Sequence, residues 1–252
     1  MDNAIVLVPI YRPELWPLER YTLDHYLAAL AGRTIKFIGP HTLDRSFYSE
    51  HYQSVPFLAF DDAFFASVEG YNRLLLSPWF YEQFAAYEFV LVLQTDAVVL
   101  RDELDFWCAQ PYDYIGAPWP DGYKLFVNAG KFAGDNGKYV VAYVGNGGLS
   151  LRRVSKCILL LEEFGDIVGM FDHSGSSEDL FFSVMGMLSE DFRLPDEATA
   201  SLFALELKPS HYRAVNGGRL PMGGHAWWSY EPGFWLAAIG ESPPPRPGQD
   251  PQ

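Results

Sequence analysis

The chain alternates between short apolar runs and stretches in which apolar residues recur at helical spacing. Ala4 to Ile10 (AIVLVPI) is an unbroken apolar run, which is typical of a strand buried on both faces of a parallel sheet. From Glu14 to Leu30 the apolar residues recur every three or four positions and predict a helix. Thr34 to Ile38 and Phe57 to Phe60 are predicted as the next two strands. This order favours a parallel sheet joined by crossover helices.

The rest of the pattern extends this α/β organisation and then departs from it. Two helical segments between Ser67 and Tyr87, split at Ser77-Pro78, precede Glu88 to Leu93, which has the clearest strand pattern in the chain. Residues 111–148 are rich in Gly, Pro, Tyr and Asn, and we expect long loops over an open face there. Helical spacing returns at Arg153 to Phe164 and at Asp179 to Leu188. We therefore predict one Rossmann-like domain over residues 1–240, with a mostly parallel central sheet flanked by helices. A Pro-rich tail at residues 241–252 is predicted to be disordered.

Composition narrows the class of function. The 252 residues carry a net charge of −14 without a run of Lys or Arg, which argues against nucleic-acid and anionic membrane partners. Cys108 and Cys157 lack metal-site spacing and fit a reducing compartment, and no signal peptide or transmembrane segment is recognised. A cytoplasmic protein is the expectation. Aromatic residues make up 16% of the chain, enough for a large core and for rings that stack on sugars.

An acid stands just beyond the end of the predicted strand at Glu88 to Leu93. In FVLVLQTDAVVL, Asp96 follows the buried run directly. Ligands of open α/β sheets bind at the carboxyl ends of the strands, and a carboxylate there suits a divalent cation that bridges a diphosphate. An acid at this position can also be a loop cap or a salt-bridge partner, so its context decides the interpretation.

Five sequence blocks together supply that context: QTDAVVL, DYIGAPWP, VGNGGLSLRR, SEDLFFS and PMGGHAWW. In this combination the chain resembles, over residues 4–236, a bacterial family of glycosyltransferase-like domains of unknown function. That family belongs with the glycosyltransferases of the A-type (GT-A) fold. The resemblance implies transfer of a sugar from a nucleotide-diphosphate sugar, with a UDP-sugar as the expected donor. The expected acceptor is a glycan or glycolipid, such as a bacterial surface polysaccharide.

The resemblance also implies a metal site for Mn²⁺ or Mg²⁺. The D-x-D motif of the fold reads Gln94-Thr95-Asp96 here, so Asp96 remains as the metal carboxylate. Gln94 is a poor metal ligand but can hydrogen-bond the donor. His225, between Gly224 and Ala226, matches the C-terminal histidine that A-type enzymes often bring to the metal. The two tryptophans that follow it could belong to the core or could stack on sugar.

A glycine-rich segment and an acidic pair complete the expected site. In residues 144–151 (VGNGGLSL), Gly147 and Gly148 allow positive φ angles and a close approach of backbone to ligand, although a tight Asn-Gly hairpin explains these residues almost as well. The resemblance makes this segment the floor on which donor and acceptor meet. Glu178 and Asp179 precede an apolar helix, where acids also serve as caps. In the resemblance Asp179, with Glu178 beside it, is the general base of an inverting reaction.

Donor contacts are expected at two further places. The loop after the first strand, with Pro9 and Tyr11, meets the nucleotide base in this fold, and Tyr71, Asn72 and Arg73 match a family pattern that reaches the base or ribose. A retaining transferase of the same fold and a degenerate carbohydrate-binding protein remain alternatives. A nucleotidyltransferase is disfavoured, because residues 9–14 (PIYRPE) lack the glycine-rich basic loop that holds a triphosphate.

Overall fold

The computed structural model describes residues 3–240 and 243–244. Nine strands occur in chain order within these residues: β1 Ala4–Pro9, β2 Thr34–Pro40, β3 Phe57–Phe60, β4 Phe89–Leu93, β5 Val98–Val99, β6 Tyr114–Val127, β7 Lys138–Arg153, β8 Ala204–Leu205 and β9 Gly223–Gly224. The predicted disorder of residues 241–252 falls largely outside the described residues.

Eleven α-helices lie among the described residues: α1 Pro17–Ala29, α2 Ser46–His51, α3 Val68–Leu75, α4 Pro78–Glu82, α5 Leu104–Cys108, α6 Val154–Glu163, α7 Gly165–Ser174, α8 Glu178–Leu188, α9 Glu197–Phe203, α10 Pro209–Val215 and α11 Pro232–Ile239. Short 3₁₀ helices occur at Asp62–Phe64, Gly130–Phe132 and Gly134–Asn136. The predicted break between α3 and α4 is confirmed, and Pro78 occupies the first turn of α4, where its missing N–H costs no hydrogen bond.

The central sheet has six strands in the order β3-β2-β1-β4-β7-β6. The first four strands are parallel, while β7 runs antiparallel to both β4 and β6. The predicted α/β architecture with a mostly parallel sheet is therefore confirmed. Side chains of β1 alternate between two apolar cores, with Ile5 and Leu7 in one and Val6 and Val8 in the other. Because helices cover both faces, the central strands read as unbroken apolar runs.

The prediction of long loops over residues 111–148 is wrong. Most of this segment forms β6 and the first part of β7, which pair as a long antiparallel hairpin with register shifts near Ala117 and Pro118. Gly and Pro are depleted in regular strands, but they are accommodated at such irregularities, so composition alone suggested a loop.

A second, three-stranded sheet carries the C-terminal part of the chain toward the end of β4. Its order is β5-β9-β8, with β9 antiparallel to β5 and parallel to β8. Val98 of β5 comes just after Asp96, and His225 follows β9 directly. These two-residue strands therefore bring residues distant in sequence to one edge of the main sheet.

Candidate active site

The turn after β4 presents Gln94, Thr95 and Asp96 at the carboxyl edge of the parallel strands. The Gln94 N–H donates to the Gly148 carbonyl of β7 (2.9 Å), and the Ala97 N–H closes the turn on the Gln94 carbonyl (3.0 Å). Thr95 is buried and donates its hydroxyl to Glu19 of α1 (3.0 Å), whereas the side chain of Asp96 keeps 30% of its surface exposed. Gln94 is also partly exposed, so Asp96 and Gln94 are the members of the motif with more access to a ligand than Thr95.

His225 lies beside Asp96, as the predicted metal pair requires. Its Nε2 is 3.2 Å from Asp96 Oδ1 and 3.1 Å from Gln94 Oε1, and its Nδ1 is 2.9 Å from Glu206 Oε2. Both ring nitrogens therefore face oxygen atoms. Trp227, two residues on, is buried and donates to Thr22, so this indole belongs to the core.

The two partners shift each other's pKa. Burial alone would lower the pKa of His225, but the charge of Asp96 and hydrogen bonds to Asp96 and Glu206 outweigh it and raise that pKa to about 10. Burial likewise acts to raise the pKa of Asp96, and the charge of His225 prevails and lowers it. His225 thus lies between the carboxylates of Asp96 and Glu206, and each of them favours the charged form of the ring.

The donor atoms at this turn fit a divalent cation that is completed by a substrate. The imidazole Nε2 of His225 lies within hydrogen-bonding distance of both the carboxylate of Asp96 and the amide oxygen of Gln94. Within the described ranges, no group of three or more His, Cys, Asp or Glu side chains could hold a metal ion by itself. A site with one carboxylate and one imidazole suits Mn²⁺ or Mg²⁺ when substrate phosphates supply further oxygens.

Gly147 and Gly148 lie inside β7, so neither the loop nor the Asn-Gly hairpin considered from sequence is present. Neither glycine has a positive φ. Their role is close approach: a Cβ on Gly148 would overlap the His225 ring, and a Cβ on Gly147 would lie 2.7 Å from Glu178 Oε1 and 3.2 Å from Asp179 Cβ. Consecutive strand residues face opposite sides, so β7 has His225 on one side and the start of α8 on the other.

The acidic pair at the start of α8 divides into two environments. Asp179 is half-buried, and its Oδ2 accepts from the Gly147 N–H (3.2 Å) while its Oδ1 accepts from the Leu180 N–H (2.7 Å). Glu178 is buried, and both of its oxygens accept from the guanidinium of Arg152 (2.8 and 2.9 Å), which is fully buried. Asp179 is therefore the carboxylate that accepts a hydrogen bond from the glycine strand, and Glu178 balances the buried charge of Arg152.

The loop after β1 contributes exposed rings near Asp96. Pro9 ends β1, and the side chain of Tyr11 is 53% exposed. Burial is the largest cause that raises the pKa of Tyr11, and the charges of Arg12, Glu19 and Asp96 also reach its hydroxyl. The Arg12 guanidinium pairs with Glu19 and lies 4.0 Å from the centre of the Trp16 ring. This loop and the Asp96 turn thus share one edge.

The three residues of α3 that were expected to contact the donor lie in different environments in the structure. Asn72 lies at the acidic pair, with its Oδ1 3.5 Å from the Glu178 N–H. Arg73 lies on the surface in an ion pair with Asp172 of α7 (3.0 Å). The hydroxyl of Tyr71 is buried and has no hydrogen-bond partner among the described residues, and the charges of Arg152 and Glu178 reach it. An unpaired buried hydroxyl at this place is a candidate ligand contact.

Two residues of the site were missed from sequence. Glu206 accepts from His225 Nδ1, and Asn146 of β7 donates its amide to the same carboxylate. Glu206 stands in FALELKPS, which carries no motif. Its relation to His225 depends on the pairing of β8 with β9, and two-residue strands leave no periodic signal.

Comparisons with known proteins agree with the fold. A family model described as "Protein of unknown function (DUF5672)" matches residues 54–225, more than half of the chain. The structure is similar to galactosyltransferase LgtC, solved with donor and acceptor sugar analogues, at 14% identity and a TM-score of 0.56; the match covers 97% of this chain and 98% of that one. No curated protein matches the chain.

Two further solved structures show the same likeness. Mouse xyloside xylosyltransferase 1 aligns at 14% identity and a TM-score of 0.52, covering 87% of this chain and 96% of that one. The glycosyltransferase GlyE of Streptococcus pneumoniae TIGR4 aligns at 13% identity and a TM-score of 0.52; 96% of this chain spans 61% of that longer one. At this identity the likeness establishes the GT-A fold. In the part of the chain that is described, no helix is long and apolar enough to span a membrane.

Proposed function

Because the chain belongs to the DUF5672 family and has the GT-A fold, we propose that it is a glycosyltransferase that moves a sugar from a nucleotide-diphosphate sugar to a hydroxyl acceptor. One observation carries this proposal. Asp96 and His225 meet on one side of Gly148, while Asp179 accepts a hydrogen bond from Gly147 on the other side. Two consecutive strand residues thus separate a cation-binding pair from a carboxylate able to act as a base.

We assign Mn²⁺ or Mg²⁺ to Asp96 and His225, with Gln94 as a hydrogen-bonding neighbour of the donor. When bound, the cation would neutralise the negative charge that develops on the leaving diphosphate. The backbone of Gly147 and Gly148 remains a proposed donor contact, next to His225 and Asp179. Pro9, Tyr11, Thr95, Asn72 and Arg73 remain proposed donor contacts, although the ion pair of Arg73 with Asp172 and the hydrogen bond of the buried Thr95 hydroxyl to Glu19 would first have to open.

Asp179 is the proposed general base. The acceptor hydroxyl oxygen forms a bond to the anomeric carbon as the bond to the diphosphate oxygen breaks, and the hydroxyl proton passes to the Asp179 carboxylate. The Gly147 N–H orients that carboxylate, and the N-terminus of α8 stabilises its negative charge by about 0.3–1 kcal/mol. Attack opposite the diphosphate inverts the anomeric configuration.

We propose a UDP-sugar as donor and a bacterial surface glycan or glycolipid as acceptor. Exposed rings at the site edge support a carbohydrate ligand: Tyr11 and Trp16 are each 53% exposed, and such rings stack on the apolar faces of sugars.

The test of this mechanism is the Asp179→Asn variant. It keeps the shape of the side chain but removes the base, so sugar transfer should fall by about 10²–10⁴-fold while binding of UDP persists. NMR of the parent product should show an inverted anomer. Asp166→Asn at the exposed start of α7 is the matched control, and it should transfer at the parent rate.

Transfer by Asp179→Asn at the parent rate would remove Asp179 from the mechanism. A product with retained configuration would instead favour a retaining transferase of the same fold. Glu178→Gln is unsuitable as the mild control that its position suggests, because it would leave the guanidinium of Arg152 buried without its carboxylate.

A further inference from the structure

The ring nitrogen of His225 that faces away from Asp96 has a carboxylate partner. We propose that Glu206 is a positioning residue, which holds the His225 ring by its Nδ1–H so that Nε2 faces Asp96 and the cation. This inference rests on the proposed metal-assisted function and extends it to a residue outside the D-x-D and histidine motifs. It assigns Glu206 no contact with the substrate.

The backbone sets this pairing. β8 and β9 run parallel, with Ala204 opposite Gly223 and Leu205 opposite Gly224. Continuing that register by one residue places Glu206 opposite His225, and the His225 N–H donates to the Leu205 carbonyl (3.0 Å). The two side chains therefore leave neighbouring strands at the same level.

The surroundings of Glu206 leave it little freedom to move. The residue is 8% exposed, and its Oε2 accepts from both His225 Nδ1 (2.9 Å) and the Asn146 amide. Asn146 is fixed in β7 two residues before Gly148, which lies against the imidazole. Glu206 is thus held by the strand that forms the floor of the site.

The hydrogen bond from His225 to Glu206 determines which ring nitrogen can bind a metal. A histidine that binds a metal through one nitrogen commonly donates its other N–H to a carboxylate, which fixes the tautomer and the ring orientation. In this protein Nδ1 donates to Glu206, so Nε2 is the nitrogen available to a metal. Loss of such a partner typically weakens metal binding by about 10–100-fold.

The experiment is a titration of the full chain with Mn²⁺ alone, in which the electron paramagnetic resonance signal of free Mn²⁺ measures the metal that remains unbound. Glu206→Ala should weaken binding by about 10–100-fold. Glu206→Gln, whose amide oxygen can still accept from Nδ1, should lose less. Glu163→Gln on α6 removes a surface carboxylate paired with Lys131 and should bind as the parent does.

A double variant separates positioning from a general loss of charge or stability. In a His225→Ala background, Glu206→Ala should cause no further loss of Mn²⁺ affinity, because the ring that it orients is gone. A second readout is the ¹H chemical shift of the His225 Nδ1–H in the Mg²⁺-loaded protein, which should show a strong hydrogen bond to a carboxylate in the parent and a weaker one in Glu206→Ala.

The outcomes separate a failure of the positioning role of Glu206 from a failure of the proposed metal-assisted function. If Mn²⁺ binding is lost in Asp96→Ala but unchanged in Glu206→Ala, Glu206 has no positioning role. The proposed metal site at Asp96 and His225 is still supported in that case. The same holds if the losses in Glu206→Ala and His225→Ala add fully. If the parent chain binds no Mn²⁺ at millimolar concentration, both the metal-assisted function and the positioning role fail.

Discussion

Arg152 and Glu178 form the most deeply buried charged pair at the site. The Arg152 side chain is 0% exposed and that of Glu178 is 7% exposed, with two hydrogen bonds between them. Glu178→Gln would leave an uncompensated guanidinium inside the protein, so the free energy of unfolding should fall by about 3–5 kcal/mol. Urea denaturation measures it. Asp172→Asn, which breaks the exposed pair with Arg73, should cost less than about 1 kcal/mol. Similar losses in both variants would refute the structural role of Glu178.

A substitution at Tyr71 tests whether its buried hydroxyl contacts the donor. Its buried hydroxyl lacks a partner among the described residues, and leaving such a group unsatisfied costs about 1–3 kcal/mol. Tyr71→Phe should therefore keep or raise the free energy of unfolding while weakening the binding of UDP, if the donor satisfies that hydroxyl. Calorimetric titration with UDP and Mn²⁺ checks this. UDP affinity equal to that of the parent would show that Tyr71 belongs only to the core.

A substitution at Gly148 tests whether the strand β7 determines the geometry of the site. Gly148→Ala would drive a methyl group into the His225 ring, so the imidazole must move and Mn²⁺ binding should fall by at least about 10-fold, as expected when a ligand loses its orientation. Gly169→Ala in α7 is the control. Its Cβ meets nothing within 4 Å, and the substitution should stabilise the helix by about 0.5–1 kcal/mol. Unchanged metal binding in Gly148→Ala would show that β7 does not determine the geometry of the site.

The start of α9 carries a pH-dependent contribution to stability. Asp196 accepts from the Thr199 N–H (2.7 Å), and hydrogen bonds from Thr199 lower the pKa of Asp196 below its usual 3.8. Asp196→Ala should cost about 1 kcal/mol at neutral pH. Because the folded pKa is the lower one, this difference should be complete above about pH 4 and shrink as the pH falls through the folded value. Urea denaturation at several pH values measures it, and a difference that persists at the lowest pH would contradict the cap.

The parts of the fold that could be predicted are those whose local pattern is strong. Buried parallel strands such as β1 and β4 can be recognised in the sequence as apolar runs. β6 and β7 do not, because their pairing is irregular and rich in Gly and Pro, and non-local pairing stabilises them against weak local preference. The proximity of Asp96 and His225 was expected only from the resemblance. The proximity of Glu206 required the register of β8 with β9, which no local pattern contains.

The net charge of the whole chain explains why the binding of a nucleotide diphosphate should require a cation. A chain with a net charge of −14 repels a nucleotide diphosphate, and the candidate site itself contains Asp96, Asp179 and Glu206. Even a protonated His225 would balance only part of this charge. A divalent cation between Asp96 and the diphosphate would turn repulsion into attraction. Binding of nucleotide should therefore depend on Mn²⁺ or Mg²⁺, and Asp96→Ala should abolish that dependence.

The most direct measurement is the thermal unfolding of the chain with each of UDP, GDP, ADP, CDP and TDP, in the presence and absence of Mn²⁺. One nucleotide, with UDP expected, should stabilise the parent chain only with Mn²⁺, by about 2.7 kcal/mol at one hundred times its Kd. Asp96→Ala should remain folded and show no such gain. A chain that no nucleotide stabilises, with or without the cation, would contradict the proposed glycosyltransferase and favour a carbohydrate-binding protein on the same fold.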